Sequence, residues 1–498
     1  MAPKNLYHLF HVVSQLRQRG QELSRTPENT VNAGPGTTDE KPRAVVQHRV
    51  AEAIRRQIRE GAYRPGDKLP SVRQLSQSME VSITTVSRAY AILGEEGYVL
   101  AHPQSGYYVK LGWAAKHGQP QTSDTRSLPR DMNPALSSLL VAGQNAQLFP
   151  IKVLTASLKR TALAFNRDHA DYGTKQGNRD LREQIAHRLV VKGCLLHPDD
   201  LLVTSGSTEA LLLAARAVTK PGDTIAMESP AYSNLHLVAH FLSLNLVEVN
   251  CSPVTGMDLG HLQDILDRQP IGAVFATPSF NNPTGSLMPY ESRRRLVAML
   301  AEREIPLLEN EAYADLHFSP DPIPNCKAFD RDGRVLLCGS FSQTLGPKIR
   351  IGWLAPGRYY DDAELFKYSS SVTTPLLQQR AMTDFLERHR ITRVIAPAVK
   401  AYQRSFREMA TVISESFPAG TTFEIPQGGS NMWVVMPESI NGRTLQEKCI
   451  EEGFRFFPGE NFSPTKRYKN CLTLCVAHWG SEAERQVRRI GTIAHGLL

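Results

Sequence analysis

Hydrophobic periodicity divides the chain into two patterned blocks of unequal length. Ahead of the first block and between the two lie stretches rich in Thr, Asn, Gly, Ser and Pro that lack helical or strand periodicity. Such composition is typical of linkers. We therefore predict an N-terminal helix and linker over residues 1–42, a small domain over 43–111, a second linker over 112–134 and a large domain over 135–498.

The small block has the pattern of three helices followed by a hairpin. Apolar residues recur every four positions between Val46 and Ile58, which predicts the first helix. Ser71 and Ser82 stand where they can cap the second and third helices. Two runs of β-forming residues then flank a Pro-Gln-Ser-Gly turn at 103–106. This order predicts a winged helix-turn-helix.

The large block alternates short apolar runs with segments of helical length. Such runs occur at 201–203, 224–227, 273–276 and 306–308, and the segment after the first of them, 207–218, has the pattern of a helix. This alternation predicts an α/β fold, in which helices cover both faces of a mostly parallel sheet. Binding residues are then expected in the loops at the strand ends.

Composition and cysteine usage exclude several classes of protein. With 41% hydrophobic and 21% charged residues, the 498-residue chain has neither the composition of a disordered protein nor that of a fibrous one. No apolar run approaches the roughly 18 residues of a membrane span, and the N-terminus lacks the apolar run of a secretory signal. Seven cysteines without ligand spacing favour neither a disulfide framework nor a metal site. We expect a cytoplasmic protein without a membrane partner.

Charge along the small block suits a polyanionic partner. The first 110 residues carry 15 Lys and Arg against 10 Asp and Glu, in a chain whose net charge is +8. The predicted third helix is short enough for the major groove of double-stranded DNA and begins with small hydroxyl residues. Its exposed face is expected to present Ser82, Thr84, Thr85, Ser87 and Arg88. A three-helix interaction domain without DNA is the alternative on pattern alone.

Several motifs with fixed spacing sharpen this hypothesis. They are LPSVRQL at 69–75, VSITTV at 81–86, the Ala-Tyr pair at 89–90 and SGYYV at 105–109. Together they resemble the GntR family of bacterial regulators. The resemblance implies DNA contacts by Arg73, the hydroxyls of Thr84 and Thr85 and the backbone of Gly106. Ser71, in the first of these motifs, is a further candidate for DNA contact.

Two positions of the small block depart from the GntR pattern. Ile83 stands where the family usually has a basic residue after the serine of the third helix, and His102 replaces the usual basic residue of the wing. These departures put in doubt the strength of phosphate anchoring and the base preference expected from the resemblance.

In the large block, the loops at predicted strand ends carry a second set of motifs. Segment 204–209 joins a strand to a helix, so that backbone N–H groups and two hydroxyls meet the positive end of the helix dipole, as a phosphate requires. Alone it is a weak signal, because serine caps are common. Segments 228–232, 277–285, 309–313 and 340–353 follow it at strand ends in one order.

Together these segments resemble the fold-type I aminotransferases, which use pyridoxal phosphate, and the whole chain resembles the MocR subfamily of GntR regulators. The resemblance implies a large domain with a small C-terminal α+β subdomain and a head-to-tail homodimer, in which each winged domain packs near the partner's large domain. It further implies phosphate contacts from Ser207, Thr208, Ser340, Ser342, Arg350 and, from a partner subunit, Tyr172, and ring contacts from Tyr232, Asn282 and Tyr313.

Three positions depart from that resemblance where the chemistry is performed. A pyridoxal enzyme needs a lysine amine that forms a Schiff base and an acid that keeps the ring nitrogen protonated. The lysine position is Gln343 and the acid position is Asn310, and neither carboxamide can do this work. Thr473 stands where an arginine usually binds the substrate carboxylate.

Neighbouring residues are poor substitutes for the missing lysine and acid. Lys348 lies five residues beyond the lysine position and is expected to be a solvated charge, while Glu309 and Glu311 should point away from the ring. The triplet at 293–295 indicates an exposed helix face.

We therefore interpret the chain as a DNA-binding transcriptional regulator with no catalytic residue. Its aminotransferase-like domain dimerises and senses a small molecule, with pyridoxal phosphate bound non-covalently or absent. Two alternatives stay open: an active aminotransferase with an accessory DNA-binding head, and a module whose large domain serves only dimerisation.

Overall fold

The computed structural model describes residues 41–59, 63, 67–79, 81–102, 106–109, 147–164 and 173–498. The chain forms two compact units, 1–122 and 123–498, which we describe separately. The predicted N-terminal helix, nearly all of the first linker and the whole of the second linker lie outside the described residues, so the predicted domain boundaries stay predictions.

The first unit contains the winged helix-turn-helix that the sequence predicts. Its elements are α1 (Lys41–Arg59), α2 (Val72–Met79), α3 (Ile83–Glu95), β1 (Val99–His102) and β2 (Gly106–Val109). The apolar faces of the helices and the two strands enclose one core, which includes Ile54, Leu75, Val86, Leu93 and Val109. The two strands pair antiparallel, with Val99 opposite Val109 and His102 opposite Gly106.

The second unit is built on a mixed eight-stranded sheet. In chain order its elements, up to the end of the large sheet, are α4 (Ile151–Ala164), α5 (Arg179–Val190), β3 (Leu202–Thr204), α6 (Ser207–Val218), β4 (Thr224–Ser229), α7 (Ser233–Phe241), β5 (Asn245–Ser252), β6 (Gly256–Met257), α8 (Leu259–Arg268), β7 (Ala273–Ala276), α9 (Tyr290–Glu302), β8 (Leu307–Asn310), β9 (Val335–Ser340) and β10 (Gly352–Ala355). The strand order is β3-β10-β9-β8-β7-β4-β5-β6. This confirms the predicted α/β class.

Within this sheet the five strands from β9 to β5 run parallel, and β10 runs antiparallel between β3 and β9. In the register, Gly352 at the start of β10 lies opposite both Thr204, at the end of β3, and Ser340, at the end of β9. The segments that follow β3 and β9 and the segment that precedes β10 therefore meet at one edge of the sheet.

A smaller subdomain completes the second unit. It follows α10 (Tyr360–Ser371), α11 (Leu376–Arg388) and α12 (Ile391–Ser416), and consists of β11 (Thr422–Phe423), β12 (Asn431–Val435), α13 (Gly442–Glu451), β13 (Phe457–Pro458), β14 (Cys471–Cys475) and α14 (Ser481–His495). Its four strands pair antiparallel in the order β11-β12-β14-β13. This is the small α+β subdomain that the resemblance implies.

Arg293 corrects one expectation from the sequence. Three consecutive arginines indicated an exposed helix face, but Arg293 is 1% exposed and donates to the carbonyls of Met288, Pro278 and Pro324 and to Ser279 Oγ. Successive helical residues are about 100° apart, so three in a row cannot all face solvent on an amphipathic helix. The buried guanidinium holds the loop after β7, which carries Asn282.

Candidate functional site

The N-terminus of α3 presents a hydroxyl cluster held by its own capping interactions. Ser82 is the N-cap, and its Oγ accepts from Thr85 N at 3.1 Å. The same oxygen lies 2.8 Å from the hydroxyls of Thr84 and Thr85. A capped first turn stabilises α3 and fixes the orientation of these side chains.

The predicted DNA-contacting residues lie on the surface of the first unit. Ser71, Arg73, Ser82, Thr84, Ser87 and Arg88 are exposed, whereas Thr85 and Gly106 are half-buried. Ser71 also caps α2, since its Oγ accepts from Gln74 N at 3.3 Å and its N–H donates to Gln74 Oε1 at 2.9 Å. Gly106 has a φ of +112°, which favours glycine at the start of β2.

In the second unit, the N-terminus of α6 forms an open anion cradle. The N-cap residue is Gly206, with φ +92°. Glycine has no side chain, so no N-cap side chain accepts from the backbone N–H groups of the first turn. Ser207 and Thr208 are the first two residues of this helix. Glu209 Oε2 accepts from Ser205 N at 2.5 Å, which fixes the turn that precedes the helix.

Arg350 crosses from the segment before β10 to this cradle. Its Nη2 donates to Ser205 O at 2.5 Å, and its Nη1 lies 3.4 Å from Ser342 Oγ. Ser342 is in turn bonded to Ser340, with 2.9 Å between the hydroxyl oxygens. Gly206 has a φ that favours glycine, and a Cβ there would lie 2.7 Å from Arg350 Nη2, so a larger residue would displace the guanidinium from this position. The predicted phosphate ligands therefore converge, as the register of β10 dictates.

Tyr232 is joined to the same helix end through an asparagine. Asn234 Nδ2 donates to the Tyr232 hydroxyl at 2.7 Å and lies 3.3 Å from Thr208 Oγ1. Burial raises the pKa of the Tyr232 hydroxyl, and the Arg350 charge and a bond to Thr208 oppose the shift. Asn234 is a residue that sequence reasoning missed, because nothing in its local pattern distinguishes it from other residues early in a helix.

Asn282 and Tyr313 come together from two other strand ends. Asn282 is 7% exposed, and its Nδ2 lies 3.3 Å from the Tyr313 hydroxyl. Burial raises the pKa of Tyr313, as does the neighbouring Tyr232, so the phenol is neutral near pH 7. The pair presents hydrogen-bonding groups of the kind that the resemblance implies for the phenolic oxygen of a pyridoxal ring.

Gln343 and Asn310, to which the resemblance assigns the lysine and acid positions, lie at the ends of two neighbouring strands. Gln343 is half-buried in the loop after β9, one residue beyond Ser342. Asn310 ends β8, is 3% exposed, and its Oδ1 accepts from Ala312 N at 3.2 Å. Lys348, farther along the Gln343 loop, is exposed.

The carboxylates on either side of Asn310 have other partners. Glu309 accepts from the backbone N–H groups of Cys326 and Lys327 at 2.7 and 2.9 Å. Burial raises its pKa to about 7, although those bonds and Arg293 oppose the shift. Glu311 accepts from Lys192 Nζ at 3.2 Å and from Asn325 Nδ2 at 2.8 Å. As expected, both are directed elsewhere.

Thr473 lies in the middle of β14 and is 5% exposed. Its hydroxyl donates to Pro283 O at 3.3 Å, next to Asn282. A threonine hydroxyl cannot form the paired, charged contact that an arginine makes with a carboxylate. Tyr172, the remaining predicted contact, lies outside the described residues.

Lys367 is a second residue that sequence reasoning missed. It is fully buried beside α6, where its Nζ donates to Thr374 Oγ1 at 3.0 Å and lies 3.5 Å from Glu209 Oε1. Burial lowers its pKa, and Glu209 opposes that effect. Its sequence position on a solvent-facing helix gave no signal of burial. Through these contacts the Lys367 amine holds Glu209 in the first turn of α6.

The described part of the chain has neither a metal-binding cluster nor a membrane-spanning helix. Within it, no group of three or more His, Cys, Asp or Glu side chains could hold a metal ion. None of the helices described is both long and apolar enough to cross a membrane.

Comparisons with known proteins agree with this two-part construction. Residues 46–109 match the family of bacterial regulatory proteins, gntR family, and residues 138–490 match aminotransferase class I and II. The chain is 34% identical over 472 residues to the uncharacterized HTH-type transcriptional regulator YjiR of Escherichia coli strain K12, covering 91% of this chain and 99% of that protein. It is 27% identical to the HTH-type transcriptional regulator TauR of Rhodobacter capsulatus, covering 88% of this chain and 94% of that protein.

Among solved structures, the chain is similar to LysN, an α-aminoadipate aminotransferase from Thermus thermophilus crystallised with N-(5'-phosphopyridoxyl)-L-leucine. The TM-score is 0.69 at 26% identity, covering 78% of this chain and 99% of LysN. A multiple substrate aminotransferase from Thermococcus profundus gives the same TM-score at 25% identity, covering 76% of this chain and 96% of that one.

Proposed function

Because the chain belongs to the MocR type of GntR transcriptional regulators, which join a gntR-family domain to an aminotransferase class I and II domain, we propose that its large domain senses a ligand that it does not transform. One observation carries the proposal. The residues that would hold phosphate and ring are assembled, while the position of the reactive amine holds the amide of Gln343.

Pyridoxal phosphate fits the assembled residues. Arg350, Ser340, Ser342 and the first turn of α6 would hold its phosphate, because a helix N-terminus and a guanidinium both favour an anion. Tyr232, Asn282 and Tyr313 would orient its ring. When tethered to a lysine, the cofactor supplies an electron sink for reactions of amino acids. Gln343 provides no such tether, so binding is non-covalent.

The neutral groups at two further positions would also weaken catalysis on any bound amino acid. Asn310 supplies no negative charge to the ring nitrogen, and Thr473 supplies no cation to a substrate carboxylate. The large domain then acts as a sensor. We further propose a head-to-tail homodimer whose two winged domains bind paired half-sites on double-stranded DNA.

A titration of the purified full chain with pyridoxal phosphate tests the sensor function. At 100 times its dissociation constant, the ligand should raise the free energy of unfolding by about 2.7 kcal/mol. Absorbance should show no imine band, and added amino acids should not be consumed. A thermal midpoint unchanged by ligand would favour a domain that serves only dimerisation, and amino-acid turnover would favour an active aminotransferase.

DNA binding through phosphate contacts should depend on Arg73 and Arg88, which are exposed in the described part of the first unit. We expect Arg73→Ala with Arg88→Ala to weaken binding to all duplexes and to reduce the slope of log affinity against log salt by about 1 for each arginine. Fluorescence anisotropy across a salt series measures this slope. Arg294→Ala, which removes a side chain 65% exposed in the second unit, is the matched control and should leave it unchanged. An unaltered slope in the double variant would contradict the predicted surface.

A further inference from the structure

The orientation of the Asn310 amide restricts what it can offer a ligand. Its Oδ1 accepts the Ala312 N–H inside the fold, at a site that is 3% exposed. An amide has one acceptor end and one donor end, so Nδ2 is the end left for a ligand. At the equivalent position, the expected acid would offer the ring nitrogen a negatively charged acceptor. Asn310 instead offers a donor.

The surrounding charges do not restore that acceptor. Glu309 lies on the opposite face of β8, as alternation along a strand requires, and accepts two backbone N–H groups there. Glu311 is paired with Lys192. Gln343 likewise replaces a cation with a neutral amide. Relative to the residues that the resemblance implies, the two replacements remove one positive and one negative charge from the pocket.

We propose that Asn310 donates to the ring nitrogen of the bound ligand, so that the pocket selects vitamin B6 phosphates whose ring nitrogen is unprotonated. This inference rests on the ligand-binding function proposed above. A protonated ring nitrogen would place its N–H against the Nδ2 donor in a buried site, and a ring without a nitrogen would leave that donor unpaired. Either mismatch should weaken binding about five- to hundredfold.

Three ligands distinguish these cases in calorimetric titrations of the full chain. They are pyridoxal phosphate, its N-methyl derivative, whose ring nitrogen is permanently cationic, and its deaza analogue, which has C–H in place of the nitrogen. The wild-type chain should bind the first at least about fivefold more tightly than either of the others.

Two variants separate the role of Asn310 from ligand shape. Asn310→Asp should shift preference at least about tenfold toward the N-methyl cation, because it places a negative charge beside the ring cation. Asn310→Ala should bind pyridoxal phosphate and the deaza analogue alike. Equal affinity of the wild type for pyridoxal phosphate and the N-methyl cation would overturn the inference while leaving the pocket's binding function intact. No binding of any of the three would overturn that function, and this inference with it.

An independent observation concerns Ile83, the first residue of α3. Its side chain is 54% exposed and stands among the exposed polar residues Ser82, Thr84 and Ser87. The buried residues of α3 are Val86, Ala89, Tyr90 and Leu93, and Ile83, which lies one turn before Val86 at the N-terminal end of the helix, is not among them. Ile83 therefore adds an apolar group to a polar surface without contributing to the core.

We infer that Ile83 packs against the C5-methyl group of a thymine in the major groove. The N-terminal residues of a recognition helix approach base edges, and thymine is the base that offers a methyl group there. A β-branched side chain at this position gives a preference that a basic residue, which contacts guanine or phosphate, would not give. The inference rests on DNA binding by the first unit.

Uracil substitution tests this contact by removing only the methyl group. Duplexes are selected from a random library with the full chain, and each thymine is replaced by uracil in turn. At one position in each half-site the replacement should weaken binding about fourfold, the equivalent of one buried methyl group. In Ile83→Ala the same replacement should have no effect, whereas Val46→Ala, a change at a partly exposed apolar residue of α1, should retain the effect.

Two results would contradict the contact. Uracil that is tolerated at every position by the wild type, or equal uracil sensitivity in Ile83→Ala, would exclude Ile83 as a reader of thymine. Failure to select any duplex would instead overturn DNA binding itself, and the contact with it.

Discussion

Gln343→Lys should give the chain a covalent linkage to pyridoxal phosphate that the wild type lacks. The loop that carries Gln343 follows directly on Ser342, which is bonded to Ser340 and lies near Arg350, so a lysine there would extend from an already assembled phosphate site. A lysine amine condenses with the aldehyde, and a carboxamide does not. A visible absorption band that borohydride abolishes measures the linkage.

Gln343→Arg is the matched control for this substitution. It introduces the same positive charge without an amine that forms a Schiff base, so it should show no band. Turnover of amino acids should stay absent in Gln343→Lys, because Asn310 and Thr473 are unchanged. If the lysine variant shows no band while it binds the cofactor, the position of Gln343 relative to the ring has been misassigned.

Arg350→Ala should weaken binding of pyridoxal phosphate by about a hundredfold. Arg350 is the guanidinium that links Ser205, at the start of the cradle, with Ser342 in the opposing segment. A hydrogen bond between a charged side chain and a phosphate contributes about 1.5–3 kcal/mol, and a hundredfold loss corresponds to about 2.7 kcal/mol, which is within the range of one such bond. Titration calorimetry of the variant measures the loss directly.

Two further variants test whether the affinity depends on the parallel N–H donors of the Arg350 guanidinium or only on its positive charge. Arg350→Lys keeps the charge but loses the planar fork, so it should recover only part of the affinity. Lys348→Ala removes an exposed cation from the same loop and should change affinity little. Equal losses in Lys348→Ala and Arg350→Ala would mean that phosphate is attracted by the general charge of the loop and not held by Arg350.

The sequence predicts the winged domain well because its signals are local. The four-residue spacing of apolar side chains in α1 and the serine before α3 each specify an element within one or two turns. Val86, Ala89 and Leu93 of α3 then form one buried face, as their spacing indicates. The hairpin is also predicted locally, from β-forming residues on either side of a short turn, and the turn fixes the register of its two strands.

The large sheet is predicted less completely, because its strand order depends on distant pairings. The pattern of 207–218 predicts α6 to the residue, and that of 273–276 predicts β7. No local signal places β10 antiparallel between β3 and β9. Yet that placement brings Arg350 to the cradle. Here the resemblance, and not periodicity, supplied the set of residues that the register of β10 brings together.

Buried charges are the other limit of sequence reasoning. Arg293 and Lys367 are 1% and 0% exposed, but a sequence window assigns arginine and lysine to the surface. Each is accommodated because acceptors from distant parts of the chain reach it, among them Pro324 O for Arg293 and Glu209 Oε1 for Lys367. Such partners come from other elements, so their arrangement exists only in the fold. The amide orientation of Asn310 has the same origin.

Native mass spectrometry of the wild-type chain with pyridoxal phosphate tests most directly whether the pocket holds this ligand without reacting with it. Spectra are recorded before and after borohydride reduction, and again after denaturation with peptide mapping. We predict a bound cofactor in the native spectrum that is lost on denaturation, with or without reduction. A cofactor mass that survives denaturation and maps to a lysine of the pocket would contradict the account. The chain would then have a reactive amine in the pocket, although the expected lysine position holds Gln343.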